Sequence, residues 1–224
     1  MLVFIPQYNE DTVAFRTSLD KQTISFRTYR RDRKKDRIYW TKALNDFYKY
    51  CQNQRYYFDE VICIMNNDIS FGEGFLEEGS KVKDGEVYIP KSEAISVDWS
   101  KKRFYHGDNV DCFSGRAFFM TYNDFINSGG FCKLLPHYGS DYEFGIRQLK
   151  RLKPVIMDSE ITHLPHSKKE GYSILSPNNP IFWTIFLLKH PNRYAFINIL
   201  KAWYDAIGNP IFGKRLKSLE TKCT

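Results

Sequence analysis

The sequence predicts an α/β fold, and three observations carry that prediction. Segments with the spacing of strands alternate with segments that have the spacing of helices. The run Val61–Met65 is apolar without a break, as in a central strand buried on both faces. The chain of 224 residues, with 42% hydrophobic and 26% charged residues, has the length and composition of one folded domain or of one domain with an appendage.

The individual elements follow from the hydrophobic spacing. Apolar or alternating runs predict strands over 2–6, 24–30, 61–65, 86–90 and 154–158, with a further apolar run over 117–122. Helical spacing predicts helices over 10–22, 38–52, 73–80 and 141–152. Charged or polar composition predicts loops over 31–37 and 91–109, and Gly129-Gly130 predicts a break. Residues 181–207 predict one or two helices interrupted near Pro191.

Charge and composition narrow the class of protein. The chain has 33 Lys and Arg residues and 26 Asp and Glu residues, so its formal charge is +7. This positive charge predicts an anionic partner, which is a nucleic acid, a nucleotide diphosphate or an anionic membrane surface. The five cysteines form no C-x-x-C pair, so we expect free buried thiols. No apolar run reaches the roughly 18–20 residues that cross a bilayer, and the start of the chain is too short for a signal peptide. We therefore expect a cytoplasmic protein.

The triplet Asn66-Asn67-Asp68, directly after the buried strand, is the first candidate site. In open α/β sheets, ligands bind beyond the carboxyl ends of the strands, which is where this triplet is expected. The Asp68 carboxylate suits a hard divalent cation, which prefers oxygen ligands and often bridges to substrate phosphates. The ordinary alternative is an Asn/Asp turn that ends a strand.

The second candidate site is the predicted helix start at Ser140-Asp141. Ser140 is a suitable N-cap, and the helix dipole favours Asp141 and Glu143 in the first turn. That electrostatic role is the ordinary explanation, whereas the functional one makes Asp141 a general base that faces the same cleft. Glu143 and Arg147 have the i,i+4 spacing of a structural ion pair.

Two weaker signals come from histidines and from a basic segment. His163 and His166 follow the strand predicted over 154–158; imidazole binds Mn²⁺-like ions and acts as a base, although most loop histidines are simply solvated. The basic residues between positions 27 and 37 predict either a solvated loop or a patch that binds a diphosphate or RNA. The sequence has no G-x-x-x-x-G-K-[ST] loop, no G-x-G-x-x-G fingerprint and no RNA-binding pattern.

The order of the motifs is more specific than any one of them. They are Phe4-Ile5-Pro6-Gln7-Tyr8-Asn9-Glu10, Ser18-Leu19-Asp20-Lys21-Gln22-Thr23, Ala43-Leu44-Asn45, Ile64-Met65-Asn66-Asn67-Asp68-Ile69-Ser70-Phe71, Cys112-Phe113-Ser114-Gly115-Arg116-Ala117, Gly129-Gly130-Phe131, Gly139-Ser140-Asp141-Tyr142-Glu143-Phe144 and Ile161-Thr162-His163. Over residues 2–166 this succession resembles family 2 glycosyltransferases of the GT-A fold, rhamnosyltransferase-like members in particular. The resemblance implies a Rossmann-like mixed central sheet flanked by helices, with a catalytic domain over 1–175 and a C-terminal helical extension over 176–224.

The resemblance also implies an activity and a set of site residues. The activity is inverting transfer of a hexosyl or rhamnosyl group from a UDP- or dTDP-sugar, with Mn²⁺ or Mg²⁺, to a hydroxyl of a glycan, polysaccharide or lipid-linked acceptor. Asp68 corresponds to the metal-binding carboxylate, His163 completes the metal shell, and Asp141 is the base that deprotonates the acceptor. The residues implied at the donor are Pro6, Tyr8, Glu10, Asn66, Asn67, Ser114, Gly115 and Arg116. In addition, the resemblance implies either Asp32 at the nucleotide base of the donor or Arg37 at its diphosphate.

Two positions depart from the family's pattern, and they keep other functions open. Asn66 replaces the first acid of the D-x-D motif, and Ser140 replaces the acid that often precedes the base. These departures make a non-catalytic module that binds a nucleotide-sugar or glycan the second hypothesis. The positive charge makes a basic RNA-binding protein the third, but the sequence has no RNA-motif spacing, so no nucleic acid partner is expected. Residues 91–109 and 124–140 are the expected acceptor loops, because acceptor sites in this fold lie on variable loops.

The basic and aromatic tail over 181–224 has two explanations. Its large apolar residues, with flanking Lys and Arg, suit a helix that lies on an anionic membrane, which would make the protein peripheral to the inner face of a membrane. Those residues are Trp183, Phe186, Leu187, Trp203 and Tyr204. Alternatively, the same rings cover the catalytic core or an oligomer interface.

Overall fold

A six-stranded sheet forms the centre of the structure, a computed structural model that describes residues 1–7, 10–54, 60–101, 103–107, 109–135, 139–164, 180–192 and 194–207. The strands are β1 (Leu2–Gln7), β2 (Arg27–Asp32), β3 (Val61–Met65), β4 (Ile69–Phe71), β5 (Glu86–Pro90), β6 (Ala94–Asp98), β7 (Arg103–Tyr105), β8 (Cys112–Phe113), β9 (Ala117–Thr121), β10 (Lys153–Met157) and β11 (Ile161–His163). The α-helices are α1 (Val13–Asp20), α2 (Trp40–Asn53), α3 (Phe75–Gly79), α4 (Tyr122–Ile126), α5 (Ser140–Gln148), α6 (Pro180–Lys189) and α7 (Ala195–Ile207).

The central sheet is mostly parallel, with the order β10-β5-β9-β3-β1-β2. Strand β9 is antiparallel to both of its neighbours, and the other pairs are parallel. The carboxyl ends of β1, β2, β3 and β5 therefore share one edge of the sheet with the amino end of β9. We call this edge the carboxyl edge.

Helices cover both faces of the sheet, so its central strands are apolar on both sides. In β3, Ile62 and Ile64 face the cluster beneath α2, whereas Cys63 and Met65 face the cluster beneath α1 and α3. This alternation confirms the interpretation of 61–65 as a strand buried on both faces, because successive side chains of a strand point to opposite faces. The structure is thus a mixed α/β fold with a helical C-terminal tail.

A third apolar cluster lies beside the sheet and includes the region predicted as a loop. Residues 94–98 and 103–105 form the antiparallel hairpin β6–β7, and β8 pairs with the other side of β6, so the prediction of a loop over 91–109 is wrong. Ile95 and Val97 point inward from β6 and pack with Phe182 and Phe186 of α6. The tail predicted over 181–207 consists of two helices, and the break near Pro191 is confirmed.

Several boundaries differ from the sequence prediction by a few residues. Strand β1 continues through the buried Pro6 to Gln7, and β2 takes the first two residues of the segment predicted as a charged loop. Helix α1 begins only after Thr12, whose hydroxyl accepts a hydrogen bond from the Phe15 amide at 3.1 Å. Ser140 does not cap α5; the N-cap is Gly139 with φ +78°, and Ser140 is the first helical residue, bonded through its hydroxyl to Thr41.

The expectation of free, buried thiols is confirmed for the cysteines within the described residues. Four of the cysteines are free and buried, and they are Cys51, Cys63, Cys112 and Cys132. Cys223 lies outside the described residues. Within the described part of the chain, no helix is both long enough and apolar enough to cross a membrane.

Candidate active site at the carboxyl edge

The predicted site residues come to the carboxyl edge because of the strand order. Gln7 pairs with Asp32 at the ends of β1 and β2, and Met65 at the end of β3 pairs with Ala117 at the start of β9. The segment before β9 therefore lies beside the segment after β3, and the Asn66 amide donates to the Arg116 carbonyl at 2.9 Å. Ligands of open α/β folds bind at this edge.

Asp68 and His163, which are 95 positions apart, meet at this edge. The Oδ2 atom of Asp68 lies 3.1 Å from Nε2 of His163. The pairing of β4 with β11 holds them together, since Ile69 is opposite His163 and the Leu164 amide donates to the Asp68 carbonyl at 2.7 Å. The Asp68 side chain is 15% exposed and that of His163 is 36% exposed, so both reach solvent.

This pair fits a divalent cation that takes few ligands from the protein. Carboxylate and imidazole are suitable donors for Mn²⁺-like ions. Among the described residues, however, no group of three or more His, Cys, Asp or Glu side chains forms a metal cage. The donor set agrees with the usual way in which Mg²⁺-like ions are held, by one or two protein ligands with water and substrate phosphates.

Asn67 and Asp68 form a turn after β3, and the side chains of Asn66 and Asn67 are held in place by hydrogen bonds. The Nδ2 atom of Asn67 donates to Asp11 at 3.2 Å, and Arg30 donates to the other oxygen of Asp11 at 2.6 Å. The Asn66 amide oxygen accepts from the indole N–H of Trp40 at 3.3 Å. Asp11 and Trp40 are thus site-organising residues that the sequence analysis missed, because nothing local to them indicates a partner more than 20 positions away.

Gly115 and Asp141 lie against each other beside the Trp40 ring. The Gly115 amide donates to Asp141 Oδ2 at 3.0 Å. A β-carbon at Gly115 would overlap the Trp40 ring and lie 2.9 Å from the Asp141 β-carbon. Only glycine allows this approach, so the close packing of indole and carboxylate explains the glycine at this position.

The protein environment raises the pKa of the Asp141 carboxyl above its ordinary value, because burial disfavours the charged form. The hydrogen bond from the Gly115 amide and the positive charge of Arg116 lower that pKa, but burial has the larger effect. A carboxyl group with a raised pKa is a stronger base, and such a group is suited to accept a proton during catalysis.

Arg116 is held next to Asp141 by a buried carboxylate, Glu93. The Glu93 side chain is 1% exposed, accepts a hydrogen bond from the Ser114 hydroxyl and lies 3.4 Å from Nη1 of Arg116. The Arg116 side chain is 41% exposed. Glu93 follows the carboxyl end of β5, and sequence reasoning missed it because a single acid in a polar segment resembles a surface residue.

The other predicted donor residues are distributed along the same edge with fewer contacts. Pro6 is buried opposite Arg31 in the β1–β2 pair, and Glu10 is exposed. Asp32 is exposed at the end of β2 and accepts from the Lys35 amide at 2.9 Å. Arg37 is exposed with φ 52°. Tyr8 and His166 lie outside the described residues.

The Glu143–Arg147 pair predicted within α5 is confirmed as a structural contact. The Arg147 Nε atom lies 3.2 Å from Glu143 Oε1, and the same guanidinium also donates to the carbonyls of Ser128 and Gly130. Glu143 is buried, and Gly129 and Gly130 have φ angles of +77° and +71°. The pair therefore ties α5 to the turn formed by these glycines.

The fold matches that of a solved glycosyltransferase structure. A crystal structure of GalNAc-T7 with UDP, GalNAc and Mn²⁺ aligns with a TM-score of 0.60 and 13% identity, covering 84% of this chain and 47% of that one. The chain has a GT-A-like fold. At this identity the similarity shows the fold alone, and the chain spans about half the length of the GalNAc-T7 chain.

The other comparisons add little to this assignment. A Bacillus anthracis protein assigned as a glucose-1-phosphate thymidylyltransferase, in complex with sucrose, aligns at 13% identity over 67% of this chain and 64% of that one. Its TM-score of 0.34 is too low to indicate a shared fold. No protein-family model matches the chain, and no curated protein matches its sequence.

Proposed function

We propose that the chain is a metal-dependent, inverting glycosyltransferase that moves a hexosyl or rhamnosyl group from a UDP- or dTDP-sugar to a hydroxyl of a glycan, polysaccharide or lipid-linked acceptor. The observation that carries the proposal is the 3.1 Å approach of Asp68 to His163 at the carboxyl edge of a GT-A-like fold. The motif order that resembles rhamnosyltransferase-like members of family 2 supports it.

The donor would bind at the carboxyl edge with its diphosphate near Asp68. The neighbour GalNAc-T7 was crystallised with UDP, GalNAc and Mn²⁺, which supports a nucleotide-sugar and a divalent cation here. Asp68 and His163 would hold the cation, which when bound offsets the negative charge that develops on the departing diphosphate. Arg116, held by Glu93, supplies a fixed positive charge on the same edge.

Asp141 would act as the general base in the transfer step. Its carboxylate takes the proton of the acceptor hydroxyl while the acceptor oxygen attacks the anomeric carbon of the sugar, and the bond to the nucleotide diphosphate breaks. Attack from the face opposite the leaving group inverts the configuration at that carbon. The raised pKa of Asp141 supports this role, and the Gly115 amide fixes the orientation of the carboxylate.

One observation favours a second candidate, a module that binds a nucleotide-sugar or glycan without turnover. Asn66 stands where the family has an acid, and its amide oxygen accepts a hydrogen bond from Trp40. A side chain engaged in this way contributes less to a cation than a free carboxylate would. The two candidates differ in whether loss of Asp141 abolishes a measurable transfer.

Calorimetric titration of UDP and of dTDP, with and without Mn²⁺, tests the donor site. For the wild type we expect metal-dependent binding of one nucleotide, and we expect Asp68→Asn to abolish it because a metal ligand is lost. Asp84→Asn is the matched control, since Asp84 is an exposed aspartate just before β5, at the opposite edge of the sheet. If Asp68→Asn binds as tightly as the control, the site is assigned incorrectly.

Asp141→Asn separates transferase from binding module. We expect this variant to keep the nucleotide affinity of the wild type and to lose about 10²–10⁴-fold in transfer rate, the usual contribution of a general base. The assay follows release of the free nucleotide diphosphate in the presence of candidate acceptor glycans. Nucleotide binding by the wild type with a release rate that Asp141→Asn leaves unchanged would favour the binding module.

A further inference from the structure

Helices α6 and α7 carry an exposed apolar surface that the transfer chemistry does not use. On α7 the exposed fractions are 73% for Phe196, 64% for Ile197, 55% for Leu200, 39% for Trp203 and 79% for Tyr204. On α6, Ile181 is 41% and Leu188 is 68% exposed. We call these seven residues the tail surface. Isolated apolar residues are common on protein surfaces, but seven of them on two helices in contact indicate an interaction site.

The helical spacing places the members of the tail surface on one side of α7. Phe196, Leu200 and Trp203 follow the i, i+4, i+7 pattern of a single helix face. The opposite face of α7 packs against other described residues. Asn198 is buried and its side chain donates to the Trp99 carbonyl, and Ala202 is buried in the third cluster. Helix α7 is therefore apolar on the face that the described residues leave exposed.

The exposed face of α6 continues that of α7. Ile181 and Leu188 are seven positions apart, which places them on the same side of α6. The indole N–H of Trp203 donates to the Thr184 hydroxyl at 3.0 Å and so joins the two helices next to this face. Two helices with adjoining apolar faces form a broad surface rather than a narrow groove.

Charge identifies the kind of partner. Residues 181–224 contain seven Lys or Arg and two acidic residues, so this segment carries +5 of the formal charge of +7. Lys201 is exposed on α7, next to the apolar face. Lys189 ends α6, and its Nζ atom lies 3.8 Å from Glu143 Oε1. Of the seven basic residues, Lys189 and Lys201 lie within the described residues. Contact between two copies through this surface would bring the exposed Lys201 residues of two positively charged chains towards each other, which like-charge repulsion opposes.

We infer that the tail surface lies on an anionic lipid membrane. Apolar side chains would enter the boundary between head groups and acyl chains, and Lys201 would remain at the level of the phosphates. Trp and Tyr favour this interface because each ring has an apolar body and a polar group, and Trp203 and Tyr204 are on the exposed face. The contact would be monotopic, with α6 and α7 parallel to the membrane plane.

Co-flotation of the whole chain with lipid vesicles tests this inference. We expect the wild type to float with vesicles of phosphatidylcholine and phosphatidylglycerol and to bind vesicles of phosphatidylcholine alone about tenfold more weakly, because each basic residue near an anionic surface adds to the affinity. Raising the salt from about 0.1 M to about 1 M should weaken binding to the anionic vesicles, because the Debye length shortens about threefold. Equal binding to both lipid compositions would overturn the assignment to an anionic surface.

The matched variants change two exposed apolar residues each. Phe196→Ser with Leu200→Ser removes part of the tail surface, and we expect at least a tenfold loss of binding to anionic vesicles. Val13→Ser with Ile156→Ser is the control, since those side chains are 80% and 40% exposed and lie outside the tail surface. Circular dichroism checks that both variants fold. The comparison of the two lipid compositions uses the wild type alone, so it tests the inference even if a variant does not fold.

Other occupants of the tail surface give different results. A second copy of the chain would produce concentration-dependent dimers in sedimentation velocity without lipid, and Phe196→Ser with Leu200→Ser would abolish them. Dimers of that kind, or a monomeric wild type that fails to float with anionic vesicles, would each overturn the membrane assignment.

Discussion

At the residue scale, the site depends on short-range contacts between groups that are far apart in sequence. Gly115 touches Asp141 and Trp40, and Glu93 holds both Ser114 and Arg116. A buried carboxylate needs such partners, because an unpaired charge in the protein interior is costly. Glu93 therefore fixes the direction of the Arg116 guanidinium, and Arg116 in turn modulates the charge state of Asp141.

The pH dependence of the proposed transfer should reflect the contacts of Asp141 with Gly115 and Arg116. A general base works only when it is deprotonated, and burial raises the pKa of Asp141, so kcat/KM should fall on the acid side at a higher pH than for an ordinary aspartate. Arg116 lowers the pKa of Asp141. We expect Arg116→Gln to move the acid limb of the kcat/KM profile to still higher pH.

Arg151→Gln is the control for that profile. The Arg151 side chain is 41% exposed, like that of Arg116, and it is near another carboxylate, Asp124. The Arg151→Gln substitution also removes one positive charge, but Arg151 is not among the groups that shift the pKa of Asp141. The acid limb of the kcat/KM profile should therefore stay at the pH that it has in the wild type. An acid limb that moves equally in both variants, or in neither, would contradict the assignment of the limb to Asp141 beside Arg116.

At the scale of the elements, the sequence predicts those parts of the fold whose pattern is local. The unbroken apolar run of β3 and the β5 run over 86–90 coincide with the observed strands. Helix α2 starts and ends within two residues of its predicted bounds, because its apolar face repeats with helical spacing. These elements also place the Asn66-Asn67-Asp68 triplet at the carboxyl edge.

The elements that the sequence does not predict depend on distant partners. Strands β4 and β11 have three residues each and pair across 90 positions, and neither segment has a pattern of its own. The β6–β7 hairpin was predicted as a loop because its polar residues conceal the inward side chains of Ile95 and Val97. Glu93, Asp11 and Trp40 were missed for the same reason, since their roles are defined only by residues that the fold brings to them.

The end of α6 contains a pH-sensitive contact with α5. His190 is buried, and its Nε2 atom lies 3.9 Å from Glu143 Oε1. Within the described residues, neither ring nitrogen of His190 has a hydrogen-bond partner. Burial lowers the pKa of His190 to about 4, and Lys189, Lys150 and Arg147 act in the same direction, whereas Glu143 opposes them. The folded chain therefore keeps His190 neutral at a pH at which the unfolded chain protonates it.

Stability should consequently fall as the pH is lowered. Between the unfolded pKa, about 6.5, and the folded value, about 4, the unfolded chain binds a proton that the folded chain does not, so acidification favours unfolding. We expect the wild type to lose about 1–2 kcal/mol of unfolding free energy between pH 7 and pH 5 through this group. Urea unfolding of the wild type and of His190→Gln at both pH values measures it. Between these pH values, His190→Gln should lose about 1–2 kcal/mol less unfolding free energy than the wild type. Equal losses in the two proteins would contradict the assignment of this pH dependence to His190.

At the scale of the whole molecule, the third apolar cluster joins the tail to the candidate site at the carboxyl edge. Phe186 of α6 is fully buried and contacts Trp99 and Phe104 of the β6–β7 region, at ring centroid distances of 5.8 Å and 5.5 Å. The Phe104 ring stacks at 4.5 Å on Tyr142, the neighbour of Asp141 in α5. The third cluster contains residues from both sides of a boundary between residues 175 and 176. We therefore expect the described helices of the tail to unfold together with the sheet.

Phe186→Ala tests that expectation of a single cooperative unit. The substitution leaves a cavity in the third cluster and should lower the unfolding free energy by about 3–5 kcal/mol, the usual cost for a buried Phe. Leu188→Ala is the control two positions away, because Leu188 is 68% exposed, and its effect should stay within about 0.5 kcal/mol. Urea unfolding followed by tryptophan fluorescence and by far-UV circular dichroism should give one coincident transition that Phe186→Ala shifts as a whole. Two transitions, of which Phe186→Ala moves only the first, would instead make the tail an independent unit attached to the sheet.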